Sequence, residues 1–267
     1  ALAGVAQAVG VDIGTTALPS YQDLSFNVSS GNGKLGKFTL FGILATSSIN
    51  IEGGNSSSLY GNGGGHDLSS QIGIVGLKHF KQLNSKSYFS SNIGLNYSNS
   101  EQSDYGFDRQ TSESYINQEN NVAKTGYNFS TSFNSKINSK LFLKIGILDE
   151  LIGLNLYYQT KDRIDSDWKQ VWDYNSYTNL AQAYAHVKYS YNDQLTLNAG
   201  LHSQLFSLNN SVSLEPRLGL KYDINGKSSL NFGYGLHSQM QPINVYFLQS
   251  QNADGSYSYN NKDLDFT

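Results

Sequence analysis

Cysteine is absent from this chain, so a disulfide framework, a thiolate zinc site and a cysteine nucleophile are excluded together. No run of about 18 apolar residues occurs, which removes a transmembrane helix. Proline is limited to 3 residues and tryptophan to 2. The net charge of -3 and the scattered basic residues leave no electrostatic footprint for nucleic acid. Gly-x-Ser-x-Gly elbows, His-Glu-x-x-His helices and dinucleotide fingerprints are also missing, and the Asp/Glu pairs fall in polar stretches where solvation is the default. We therefore expect no enzyme activity, no cofactor and no metal site. Ala1 to Ala8 lacks the basic and apolar regions of a signal peptide, and the chain is expected to be part of a longer polypeptide.

What the chain does contain is 19 Tyr, 13 Phe and 26 Gly, with abundant Asn and Ser. Tyrosine and phenylalanine favour strands. The mean hydropathy of -0.42 has the value of a soluble protein, but that average hides an alternation. In Val212 to Tyr222 one face carries Val212, Leu214, Pro216, Leu218, Leu220 and Tyr222, and the other Ser213, Glu215, Arg217, Gly219 and Lys221. Leu195 to Leu205 repeats the pattern, as does Leu230 to Met240, read as a strand throughout. Phe89 to Tyr97 and Tyr127 to Asn134 follow it less cleanly. Long strands with one apolar and one polar face are the signature of a transmembrane barrel with lipid outside and a wet lumen inside.

Short turn signals recur at Gly31–Gly36, Asn84–Lys86, Asn138–Lys140, Asn192–Asp193 and Asn225–Gly226, the first four about 53 residues apart. Between them lie long polar stretches, Glu52–Ser70, Ser98–Lys124, Thr160–Thr178 and Gln249–Asn261, which we read as loops. Alternating tight and long connections match short periplasmic turns and long extracellular loops. The expected fold is all-β: a transmembrane antiparallel up-and-down β-barrel wall of about 11–12 strands, counting one at Ala1–Val9, with residues 1–267 as part of one domain. Leu141 to Tyr158 breaks phase, with apolar residues odd through Ile147 and even from Ile152. A β-bulge or missing residues near Asp149–Glu150 would account for it.

Two groups of residues are candidate sites. Gly200-Leu-His-Ser-Gln204 recurs as Gly235-Leu-His-Ser-Gln239, which places His202, Gln204, His237 and Gln239 on the lumen face beside Glu215 and Arg217. Such a belt either contacts a solute path or a plug, or braces the inner wall through its own hydrogen bonds. Its two histidines lie two strands apart, about 10 Å, too far to share a metal. The stretch Asp162 to Tyr174 holds both tryptophans in an expected extracellular loop. Trp168 and Trp172 could stack on a ligand, with Tyr174 beside them and Asp165 and Asp167 accepting hydrogen bonds, or they could anchor the loop. The glycine-rich Tyr60–Asp67 lacks both the Lys-Ser/Thr ending of a phosphate loop and the tandem repeats of a calcium turn, and is read as an exposed loop.

The block Leu214-Glu-Pro-Arg-Leu-Gly-Leu-Lys-Tyr222, the turn Asn225-Gly226 and the run Leu230 to Phe247, with Pro19 to Phe26 near the start, resemble the barrel of TonB-dependent outer-membrane receptors of Bacteroidota-type bacteria. That resemblance implies a 22-stranded barrel in the outer membrane of a Gram-negative bacterium. It also implies nutrient uptake energised through TonB, a plug domain of the same parent chain, and, as a further partner, a surface lipoprotein of the SusD-like kind. No plug domain or TonB-contacting segment is recognisable in this sequence. The competing expectations are a scaffold barrel that binds a lipoprotein or an assembly partner, and a soluble or fibre-forming β protein without a lipid-facing band.

Overall fold

The computed structural model describes residues 19–52 and 64–267. Ten strands form one sheet in sequence order, each antiparallel to the next: β1 Ser20–Ser29, β2 Lys37–Glu52, β3 Gly65–Gln82, β4 Ser87–Asp108, β5 Glu113–Lys136, β6 Leu141–Thr160, β7 Lys169–Ser190, β8 Leu195–Phe206, β9 Ser211–Asn225 and β10 Ser228–Gly235. This is the all-β up-and-down meander of a barrel wall. β1 and β10 do not pair with one another, so the sheet is open among the described residues. A separate short hairpin, β11 Gln249–Gln251 and β12 Tyr257–Tyr259, follows a single 3-10 turn at Ile243–Phe247. The strand expected at Ala1–Val9 lies outside the described residues.

The tight turns form where the sequence places them, and asparagine closes four of them. The Asn84 side-chain oxygen accepts the Lys86 N–H, Asn138 accepts those of Lys140 and Leu141, Asn192 those of Gln194 and Leu195, and Asn225 that of Lys227. Each side chain stands in for a backbone acceptor and holds the reversal in about three residues.

The register then decides the faces. Leu24 opposes Leu44, Leu77 opposes Ile93, Phe129 opposes Asp149, Ile145 opposes Ala185, Leu197 opposes Leu220, and Leu218 opposes both Ala199 and Tyr234. Directly opposed residues share a face. One largely apolar face therefore runs from Leu24 on β1 to Phe232 on β10, interrupted at Asp149, which accepts from Asn179 at 3.0 Å, and its large side chains are exposed. An apolar patch of this extent is far beyond what a soluble monomer leaves open to water.

Two expectations are corrected by the strands themselves. The polar stretches Ser98–Lys124 and Thr160–Thr178 are mostly strand, because β4 and β5 pair up to Asp108 and Glu113, leaving a connection of only 109–112. Above the apolar band both faces meet water, so alternation disappears while the ladder continues. Cross-strand polar pairs take over, with Gln159 donating to Glu119 at 2.6 Å and the Tyr158 hydroxyl to Gln118 at 3.1 Å. Likewise His66 and Asp67, read as loop, lie in β3, where His66 pairs with Asp104 and Tyr105 donates to Asp67 at 2.9 Å. The remainder of Tyr60–Asp67 falls partly outside the described residues.

The phase change in β6 is not a bulge. Asp149 and Glu150 pair in continuous register with Phe129 and Asn128 on one side and with Ala181 and Leu180 on the other. What changes is the face that carries apolar residues. Ile152, Leu154 and Leu156 point inward and are buried with Trp172, Leu180 and Phe206 beneath Ile243, Tyr246 and Phe247. The chain after β10 turns back over the inner wall, and that contact requires inward apolar residues there. The rim is accordingly stepped. Phe206 at the top of β8 opposes Leu180, whereas β7 continues upward to Lys169.

Candidate functional site

The inner face of β7–β9 gathers a polar cluster around Glu215, which is 2% exposed. Alternation points Gln182, His202, Gln204, Ser213, Glu215 and Arg217 inward, and register sets His202 opposite both Glu215 and Tyr184. The Glu215 carboxylate accepts from Arg217 at 2.6 Å, Gln204 at 2.7 Å, the Ser238 hydroxyl at 2.7 Å and the Ser238 N–H at 3.2 Å. His202 Nδ1 lies 3.1 Å from Glu215, and its Nε2 is 3.1 Å from the Gln182 side-chain oxygen. A buried carboxylate is tolerable only with this density of donors, since removing it from water without them costs several kcal/mol. The cluster ties three strands to the returning segment.

His202, Gln204, Glu215 and Arg217 therefore meet, but His237 and Gln239 do not join their hydrogen bonds. β10 ends at Gly235, and Leu230–Met240 is not one strand. Leu236 still donates its N–H to Pro216, then the chain leaves the sheet. His237 Nε2 lies 3.2 Å from where a Cβ on Gly235 would sit, beside the Arg217 stem. Gln239 exchanges backbone hydrogen bonds with Thr267. The residue that completes the cluster is Ser238. Pro242, two residues beyond Met240, lacks the N–H that a ladder needs and is a local sign that pairing stops, although Pro216 is accommodated within β9.

The second candidate divides in two. Trp172 and Tyr174 belong to β7 and point into the inner core. Trp172 packs against Tyr158 with ring centroids 4.8 Å apart, and Tyr174 stacks on Phe247 at 3.8 Å. They are not available to stack on a ligand, and the indole N–H of Trp172 is buried without an acceptor. The loop proper is 161–168. There Lys161 sits 4.9 Å over the Trp168 ring, Lys169 pairs with Asp162 at 2.5 Å, and Arg163 pairs with Asp165 at 3.3 Å. Asp165 and Asp167 are exposed, and Trp168 is half-buried. The β11–β12 hairpin leans on the same upper part of β7. Tyr257 accepts the Gln170 N–H at 3.4 Å, and Tyr259 donates to the Asp173 carbonyl. Burial raises the Tyr259 phenol above its ordinary pKa, which keeps it a donor. Among the described residues no group of three His, Asp or Glu side chains could hold a metal ion.

No protein-family model and no curated protein matches the chain. Among solved structures it is similar to the copper transporter OprC, with 11% identity and a TM-score of 0.45 over 80% of this chain and 45% of that one. It is also similar to the siderophore receptor PirA from Pseudomonas aeruginosa, with 11% identity and a TM-score of 0.44 over 94% of this chain and 51% of that one. A third is the translocator domain of the autotransporter NalP from Neisseria meningitidis, with 14% identity and a TM-score of 0.33 over 86% of both chains. The chain spans about half the length of the first two. Function is therefore read from the two faces of its own sheet.

Proposed function

We propose that this chain is part of the wall of an outer-membrane transport barrel of the TonB-dependent receptor type, taking up a solute too large or scarce for simple pores, such as a glycan, peptide or metal chelate. The observation that carries this reading is the exposed apolar face shared by all ten strands, backed over β7–β9 by the polar cluster around Glu215. Lipid is the environment that covers such a face along its length, and an aqueous lumen suits the polar part of the other. In this reading the wall is non-enzymatic and works with a plug domain, TonB and, at the cell surface, a lipoprotein of the SusD-like kind. The test is uptake of glycans, peptides and metal chelates by cells carrying the parent gene, with and without TonB. Loss of uptake of one solute class without TonB supports the proposal.

A second reading has its own observation. The segment after β10 fills the inner face near the rim with Ile243, Tyr246 and Phe247, which suits a scaffold wall whose interior is occupied. Envelope damage on deletion, with every solute taken up normally, would favour that scaffold.

A further inference from the structure

Below the buried aromatic layer, the inner face of β6–β9 holds a cavity of about 530 Å³. Lys144, Tyr184, His186, Asn198, His202 and Arg217 project around it, and Gly200 and Gly219 open its floor. Its lining contains two fixed cations, two imidazoles and no carboxylate. Lys144 has no carboxylate partner among the described residues and lies 5.4 Å over the Tyr184 ring. Tyr184 can lie flat there because residue 146 is glycine, where a Cβ would stand 2.6 Å from the tyrosine hydroxyl. Arg217 donates from one nitrogen to Glu215, remains 46% exposed and lines the cavity.

We propose that this cavity is a subsite for a small solute bearing a compact oxyanion, a phosphate or carboxylate group. Lys144 supplies a point charge on one side, and the Arg217 guanidinium supplies a fork of donors on the other. Tyr184 and Asn198 complete the polar rim. Glycine at 200 and 219 leaves the strand backbone bare on the lining, flanked at 3.5 Å by the His186 ring and at 3.6 Å by Asn198 where a Cβ would stand. Glu215 holds the Arg217 guanidinium at 2.6 Å and offsets part of its charge, so Lys144 is the cation of the site without a carboxylate partner among the described residues.

The proposal rests on the transport reading for its route of access, but binding is read on purified protein, so the two fail separately. The experiment is line broadening of inorganic phosphate in 31P NMR on the parent protein in detergent, repeated with citrate as competitor. Lys144→Gln should weaken phosphate binding about tenfold, the loss of one charge-assisted hydrogen bond. Gly200→Val should abolish binding by occupying the floor without altering charge, while Lys86→Gln, in a distant turn, should leave it unchanged. Competition by citrate would assign carboxylates to the same site; its failure would restrict the site to phosphates. Wild-type broadening in both Lys144→Gln and Gly200→Val, or no broadening by phosphate and no binding of citrate, would overturn the proposal.

Discussion

Replacing Leu218 with arginine tests the assignment of the apolar face more directly than any other single change. Leu218 is 59% exposed on that face and lies seven residues from Ser211 and seven from Asn225, the two ends of β9. At a rise of about 3.3 Å per residue and a tilt of about 40°, seven residues correspond to about 18 Å along the membrane normal. An apolar band about 25 Å tall therefore has Leu218 near its centre. Arginine there should destabilise the folded protein in bilayers by about 2–4 kcal/mol, whereas the same change at a water-exposed strand position stays within about 0.5 kcal/mol. Val212, six residues nearer the rim on the same face, should cost about 0–1 kcal/mol when changed to arginine. The assay is reversible urea titration in lipid vesicles. A flat profile, with Leu218→Arg and Val212→Arg both within about 0.5 kcal/mol of wild type, would refute a hydrocarbon setting for this face.

Three further outcomes are expected. Glu215→Gln should loosen the segment that follows β10, because an amide cannot accept from Arg217, Gln204 and Ser238 together; protease cleavage within residues 236–248 should rise, and resistance equal to wild type would count against the anchoring role. Phe247→Ala should cost about 3–5 kcal/mol, as for any fully buried aromatic side chain, and a loss under about 1 kcal/mol in urea titration would show that the inward contact is dispensable. With two tryptophans in the chain, fluorescence should resolve a shielded Trp172 from a half-buried Trp168; Trp172→Phe should remove the blue-shifted component that acrylamide quenches poorly, and two equally quenched components would contradict the placement of Trp172.

The parts of the fold legible in the sequence are those where one local rule acts alone. Asparagine at 84, 138, 192 and 225 marks turns because its side chain closes them without help from elsewhere. The alternation around Leu218 marks a strand because its apolar and polar residues sort strictly to two faces. Legibility fails where the environment comes from distant chain. Leu154 and Leu156 face inward because Tyr246 and Phe247 return to cover them, a contact that local periodicity cannot contain. The upper halves of β4 and β5 are polar on both sides and so resemble loops, although their ladders continue. In the Glu215 cluster, alternation placed four members correctly on one face. His237 and Gln239 stay on the inner side but outside the hydrogen-bonded cluster, because the chain leaves the sheet after Gly235, and Ser238 was missed for the same reason.

The step in the rim gives the wall a compass bearing. From Leu180, level with the short β8–β9 connection, β7 rises eleven further residues to Lys169, about 28 Å at a tilt of about 40°. A uniform rim would look the same from every side, whereas here a tall parapet of hairpins stands beside a low sill. Tyr257 and Tyr259 fasten the β11–β12 hairpin to the parapet's inner side, next to the sill. Anything that settles on the outer end of this wall meets high ground on one flank and an opening on the other, and so has one way to face.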